Sequence, residues 1–218
     1  MWMGIDTSSY EINLGICKDG RILFEFSQHF ETARSENLLK IIDFALKSLN
    51  INLENLEGFA ITTGPGSFTG LRIGLSCIKG LAFPLKKKVV AIATDEALSR
   101  CIPSPRYKIL TLIDARCGEV YASLFDTDYK KLWDNKVLKP EEILKEIREK
   151  VIISGDGAYR YKGIFNDNFI FFEPFLTSPR GGVVAKIGEE KAKKGEFADI
   201  ISLEPHYILP PRIKKPKL

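Results

Sequence analysis

Short apolar segments separated by polar turns open the chain. Residues 2–6, 11–17 and 21–27 read as three strands, divided by Thr7-Ser8-Ser9-Tyr10 and by Lys18-Asp19-Gly20. A helical period then runs from about residue 35 to 49. A strand follows at 57–63, then a glycine-rich loop, a helix from about 69 to 83 and a short strand at 89–93. The order is β-β-β-α-β-α-β. It then begins again. Ile113-Asp114-Ala115-Arg116-Cys117-Gly118-Glu119-Val120 lies 108 residues after Ile5-Asp6-Thr7-Ser8-Ser9-Tyr10-Glu11-Ile12. Each copy has Ile-Asp, a four-residue turn, Glu and a β-branched residue. A second strand, a turn containing Asp, a third strand, a helix at 140–150 and a strand at 151–154 follow, ending in Gly155-Asp156-Gly157. The pattern predicts an internal duplication, with lobes at 1–103 and 104–218 joined near Cys101-Ile102-Pro103-Ser104-Pro105.

Two such α/β units in tandem predict two mixed sheets with flanking helices. That resembles the actin, Hsp70 and sugar-kinase superfamily, whose lobes are ribonuclease H-like. Its members place nucleotide phosphates between the lobes, against the turns that follow the two Asp-bearing strands. Asp6, Thr7, Ser8 and Asp114 stand at those positions. They read either as a vestigial nucleotide site or as turn-fixing residues, a common role for Asp.

The glycine loop, Thr63-Gly64-Pro65-Gly66-Ser67-Phe68-Thr69-Gly70-Leu71-Arg72-Ile73-Gly74, lies between a strand and a helix, where phosphate loops often lie. Its details do not fit one. Five residues separate Gly64 from Gly70, and Leu71 stands where a Walker loop has Lys. Thr69 replaces the third glycine of a dinucleotide fingerprint. The residues instead suit a structural loop and helix cap: Gly64, Pro65 and Gly66 for a tight turn, Ser67 or Thr69 as the cap, and Arg72 to anchor a nearby acid.

This stretch, with Lys79-Gly80-Leu81-Ala82, resembles the bacterial TsaB (YeaZ) family. So do Ile5-Asp6-Thr7-Ser8, Ser35-Glu36, Leu112-Ile113-Asp114-Ala115-Arg116, Gly155-Asp156-Gly157-Ala158 and Pro205-x-Tyr207, so the resemblance covers nearly the whole chain. Arg34, where the family usually has His, and Leu209, near a usual Arg, depart from it. The resemblance implies a non-catalytic scaffold or activator subunit for N6-threonylcarbamoyladenosine (t6A), formed beside the anticodon of tRNAs reading ANN codons. The implied partners are a TsaD-like catalytic subunit and a TsaE-like ATPase, which would carry the metal and ATP. Contact with tRNA would be indirect, and the chain would form a homodimer when alone.

The residues agree with a subunit lacking catalytic groups. His29 and His206, the two histidines, have no Ser, Cys or metal-ligand partner at a recognisable spacing. No cofactor or metal is expected on this chain. The alternative is an autonomous ATP-binding or glycoprotease-like hydrolase. Helical wheels offer a docking surface instead. Leu38, Leu39, Ile42 and Leu46 form a broad stripe on the first helix, and Ile73, Gly74, Cys77 and Leu81 a second apolar line on the next. Those eight residues are the expected partner interface, although mutual burial of the two helices within one monomer is equally open from the pattern alone.

Charge alters this picture little. There are 32 basic and 28 acidic residues, net +4, and Arg212, Lys214, Lys215 and Lys217 carry the surplus in a Pro- and Lys-rich tail at 210–218. The body is neutral, so no broad nucleic-acid face is expected. No apolar run reaches the roughly 20 residues of a spanning helix. Four scattered cysteines without a Cys-x-x-Cys pair, and an acidic start without a basic leader, favour the cytoplasm.

Overall fold

The computed structural model describes residues 1–30, 34–172 and 176–210. The first unit consists of β1 (Trp2–Asp6), β2 (Glu11–Lys18), β3 (Arg21–His29), α1 (Arg34–Ser48), β4 (Gly58–Gly64), α2 (Phe68–Ala82), β5 (Lys88–Ala93) and α3 (Thr94–Arg100). The second consists of β6 (Lys108–Arg116), β7 (Glu119–Phe125), β8 (Lys131–Leu138), α4 (Pro140–Glu146), β9 (Val151–Ser154), α5 (Asp156–Arg160), β10 (Phe169–Phe171) and α6 (Gly181–Lys193). The sheets are ordered β3-β2-β1-β4-β5 and β8-β7-β6-β9-β10, the same order in each unit. In both, the first strand pairs antiparallel with the second and parallel with the fourth. The repeat in the sequence is a repeat of topology.

Strand alternation decides which layer each side chain joins. Met3 and Ile5 point to the face covered by α1 and α2, where Leu38, Ile42, Leu46, Leu75 and Ile78 close the core. Trp2 and Ala60 point the other way, against Val184 and Ile187 of α6. There the approach is very close. Gly4 and Gly15 are paired across β1 and β2. A Cβ on Gly4 would fall 2.1 Å from the Ala185 nitrogen, and one on Gly15 2.1 Å from the Gly182 nitrogen. Only glycine lets a helix lie this low on a sheet. Thus α6, the last element of the second unit in sequence, covers the first unit's sheet and carries the chain back across the 103/104 division.

The exchange is reciprocal. Asp95 of α3 is buried against the second sheet, accepting from Ser123 Oγ at 2.6 Å and pairing with Lys131 Nζ at 2.8 Å. Glu189 of α6 accepts from the backbone N–H groups of Asp19 and Gly20 at 2.8 and 2.6 Å, holding the β2–β3 turn of the first sheet. Burial alone would raise the Glu189 carboxyl. Those two donors and Lys193 hold it below its usual value.

Four helices differ from the sequence expectation. The helix expected to reach residue 150 stops at Glu146, where Ile147 turns extended and leads toward β9. Short α3 starts directly after β5 without a turn signal, and α5 has only five residues. In α6, Gly181, Gly182 and Gly188 lie on the buried face and weaken both helix propensity and the apolar period. The tail at 211–218 lies outside the described residues. Among the described residues no helix is long and apolar enough to cross a membrane.

Candidate functional site

The glycine loop is built against the first turn of the chain. Ser67 N–H donates to the Ser8 carbonyl at 2.6 Å, and a Cβ on Gly66 would fall 2.5 Å from that oxygen. Thr7 Oγ1 donates to the Gly70 carbonyl at 2.8 Å. It also stands 2.4 Å from where a Cβ on Gly74 would be. Ser67 caps α2 by accepting from Gly70 N–H at 3.2 Å, while Thr69 is exposed. Asp6, fully buried, accepts from Thr62 Oγ1 at 2.6 Å and from Ser8 N–H and Asn13 Nδ2 at 3.2 Å. Burial pushes its carboxyl up, and these donors oppose the shift. Asp6, Thr7 and Ser8 therefore fasten β1, β2, β4 and α2 together.

Two motifs far apart in sequence meet here. His206 N–H donates to the Thr63 carbonyl at 2.7 Å, and the His206 carbonyl lies 2.4 Å from where Gly64 would carry a Cβ. Next along, the Tyr207 ring lies 4.9 Å from that of Phe68. Arg72 covers Phe68 with its guanidinium 3.8 Å from the ring centroid, and its Nε donates to Tyr207 Oη at 3.0 Å. Arg72 is thus placed by aromatic rings, where the sequence suggested an acid.

The second turn faces the first across an inter-lobe cleft of about 700 Å³. Asp114 Oδ1 accepts from Arg116 N–H at 3.0 Å, and its Oδ2 pairs with Arg160 at 3.2 Å. Asp156 Oδ1 accepts from the N–H groups of Asp114 and Gly157, both at 2.9 Å. Burial, with the Asp114 charge beside it, pushes the Asp156 carboxyl up to about 6 against those donors. Arg116 reaches across the cleft and donates to Tyr10 Oη at 3.2 Å. Asp156 was visible in the sequence only as part of Gly155-Asp156-Gly157. Tyr10 and Asn13 carried no local signal.

The expected interface residues separate into two groups. Leu38, Ile42, Leu46 and Gly74 are buried inside the chain, which corrects their assignment to an outward face. Positions 38, 42 and 46 form the line that points into the sheet. Leu39, one helical step away, is 54% exposed. Ile73, Cys77 and Leu81 pack on the core edge and are half-buried. Between α1 and α2 lies a shallow groove of about 590 Å³, lined by Leu39, Phe68, Arg72, Ile73 and Cys77 among others. Burial raises the Cys77 thiol to about 11, which keeps it protonated.

Comparison with known proteins places this architecture. YeaZ from Pseudomonas aeruginosa superposes with a TM-score of 0.83 at 21% identity, covering 95% of this chain and 99% of that one. The activator of 2-hydroxyisocaproyl-CoA dehydratase from Clostridium difficile, solved with bound ADPNP, gives 0.56 at 12% identity over 88% of this chain and 96% of its own, a likeness of fold alone. In sequence, the chain is 28% identical to "tRNA threonylcarbamoyladenosine biosynthesis protein TsaB" of Escherichia coli and 26% identical to that of Bacillus subtilis. Each comparison covers 94% of this chain and 93% of the relative. The family model described as "TsaD: tRNA N6-adenosine threonylcarbamoyltransferase" matches residues 28–184. With the two-lobed fold and these matches together, the chain belongs to that family, and within it to the TsaB (YeaZ) group.

Proposed function

We propose that this chain serves t6A formation in tRNA as a non-catalytic subunit that docks on a TsaD-like catalytic partner through the α1–α2 groove. The observation that carries the reading is a division of labour. Asp6, Thr7 and Ser8 direct their polar groups at Thr62, Asn13 and the Ser67–Gly70 turn, while Leu39, Ile73 and Cys77 line an open apolar groove. An interface of that kind fixes one lobe of a partner in a productive geometry without supplying a reacting group. ATP and metal then belong to the partners, a TsaE-like ATPase joins the assembled pair, and tRNA is met through the complex. The same groove pairs two copies of this chain when the partner is absent.

The test is tRNA modification by a TsaD-like subunit, with its ATPase, in the presence and absence of this chain. Strong dependence on the chain is expected, and Leu39→Asp should remove it while the chain stays folded. Full modification without the chain would overturn the proposal. The cleft of about 700 Å³ supports one rival, an autonomous ATP-binding protein. Calorimetric titration with ATP and magnesium decides that rival, since it requires tight binding and turnover by the isolated chain.

A further inference from the structure

Phe68 and Thr69, in the first turn of α2, line both the inter-lobe cleft and the α1–α2 groove. That turn is the wall between the two spaces. On the cleft side, Tyr207 packs on Phe68 at 4.9 Å and accepts from Arg72 Nε at 3.0 Å. On the groove side, the Arg72 guanidinium lies over the Phe68 ring at 3.8 Å. The groove's Phe68–Arg72 surface is therefore held from behind, by a residue that does not line the groove. Tyr207 is itself held by its neighbour, since His206 is fastened to Thr63 and sits against the Cα of Gly64.

We propose that Tyr207 is a positioning residue for partner docking: from the cleft side it presets Phe68 and Arg72 in the groove that receives the TsaD-like subunit. This inference rests on the docking reading given above. Arg72 is a long, exposed side chain that would otherwise sample many rotamers, and ordering it at the moment of binding costs affinity. The Phe68–Arg72–Tyr207 stack makes that ordering a property of the free chain. It also gives Pro205-x-Tyr207, distant in sequence from the glycine loop, a role at the same surface.

The experiment measures affinity for the purified TsaD-like subunit by titration, with circular dichroism and a thermal midpoint as fold controls. Tyr207→Ala is expected to weaken binding about tenfold. Tyr207→Phe keeps the ring and should recover most of that loss. Tyr207→Leu is a second disrupting variant should the alanine form fail to fold. The decisive measurement is a cycle with Arg72→Ala. If Tyr207 acts through Arg72, Tyr207→Ala should cost little more in that background. An equal loss in both backgrounds would mean Tyr207 touches the partner directly and would overturn the proposal, as would no loss at all. A chain ending at Pro210 controls for the basic tail and should bind normally; if it reproduces the Tyr207→Ala loss, the tail and not the stack sets docking and the proposal falls. Leu39→Asp is the control for the groove itself. If it leaves binding intact, the docking reading fails whatever Tyr207 does; if it abolishes binding while Tyr207→Ala has no effect, only the positioning role fails.

Discussion

Over its sheet the first unit carries two helices of fifteen residues, α1 and α2, where the second carries helices of seven and five, α4 and α5. At 1.5 Å per residue that is about 22 Å against about 10 and 8 Å. The sheets beneath have the same strand order. A four-turn helix covers its strands with one stripe and still has surface left over, and on α1 and α2 that remainder includes Leu39, Ile73, Cys77 and Leu81. The short helices have no such surplus. α4 buries Pro140 and Ile143, α5 buries Gly157 and Ala158, and charged residues fill much of the rest. The loops differ in the same sense. Gly64-Pro65-Gly66 leads into a long capped helix, while Gly155-Asp156-Gly157 leads into a single turn. Between the two units the sheets keep one strand order and the helical layer differs, leaving the first unit apolar surface to spare.

The largest expected effect tests the shared scaffold. Gly15→Val puts a side chain where the backbone of Gly181 and Gly182 already lies, so α6 must lift from the first sheet. A loss of about 4 kcal/mol or more in urea unfolding is expected. A near-normal midpoint would show that α6 is not essential to that unit. Next comes a pair of adjacent residues. Leu38→Asp places a carboxylate in the core and should cost roughly 3–4 kcal/mol. Leu39→Asp, on the surface, should change stability by less than about 0.5 kcal/mol yet abolish partner binding. A Leu38→Asp chain that folded normally and lost only the partner would return position 38 to the interface.

Much of this was legible in the sequence, and the exceptions are instructive. The repeat was visible because strand alternation and the turns after Asp6 and Asp114 are local patterns. The cap at Ser67 and the turn-fixing role open to Asp6 followed from residue chemistry. Helix α6 was hidden because glycines form its buried face, an arrangement intelligible only once Gly4 and Gly15 lie beneath it. The outward faces of α1 and α2 were ambiguous for another reason. Leu38 and Leu39 are equally apolar, and only the sheet's position decides between them. The contact of Arg72 with Phe68 and Tyr207 was out of reach of local patterns, since Tyr207 lies 135 positions further on.

Asp156 follows β9 as the glycine loop follows β4, so its titration sharpens the comparison. Its folded value of about 6 lies above the ordinary 3.8. The folded chain therefore keeps a proton that the unfolded chain gives up. The stabilisation is complete below about pH 4 and is lost as pH rises through 6. Asp6 and Glu25, also raised by burial, tilt stability in the same direction, so the measurement is the difference between wild type and Asp156→Asn. The variant should be flatter between pH 4 and 6 and roughly 2 kcal/mol more stable near neutrality. Asparagine can still accept from the N–H groups of Asp114 and Gly157. A variant less stable at pH 7 with an unchanged slope would mean the charged form is the one the second turn requires.

The smallest effect concerns how the two units hold each other. Where α3 crosses α6, Arg100 pairs with Glu190 at 2.7 Å and Lys191 with Glu96 at 2.8 Å, with all four side chains partly exposed. Solvent screens such pairs, and each is worth less than about 1 kcal/mol. The buried carboxylates Asp95 and Glu189 reach into the opposite sheets, where loss of a partner leaves a desolvated group unpaired and costs more. Glu190→Gln should therefore lower stability by about 0.5 kcal/mol, and 1 M salt should erase most of the difference. A double-mutant cycle with Arg100→Gln should give a coupling below about 1 kcal/mol. A coupling of about 2 kcal/mol or more would place the bond between the units at their surface, not in the exchanged carboxylates. The crossing helices would then be a salt-sensitive hinge, and the geometry offered to a partner would vary with ionic strength.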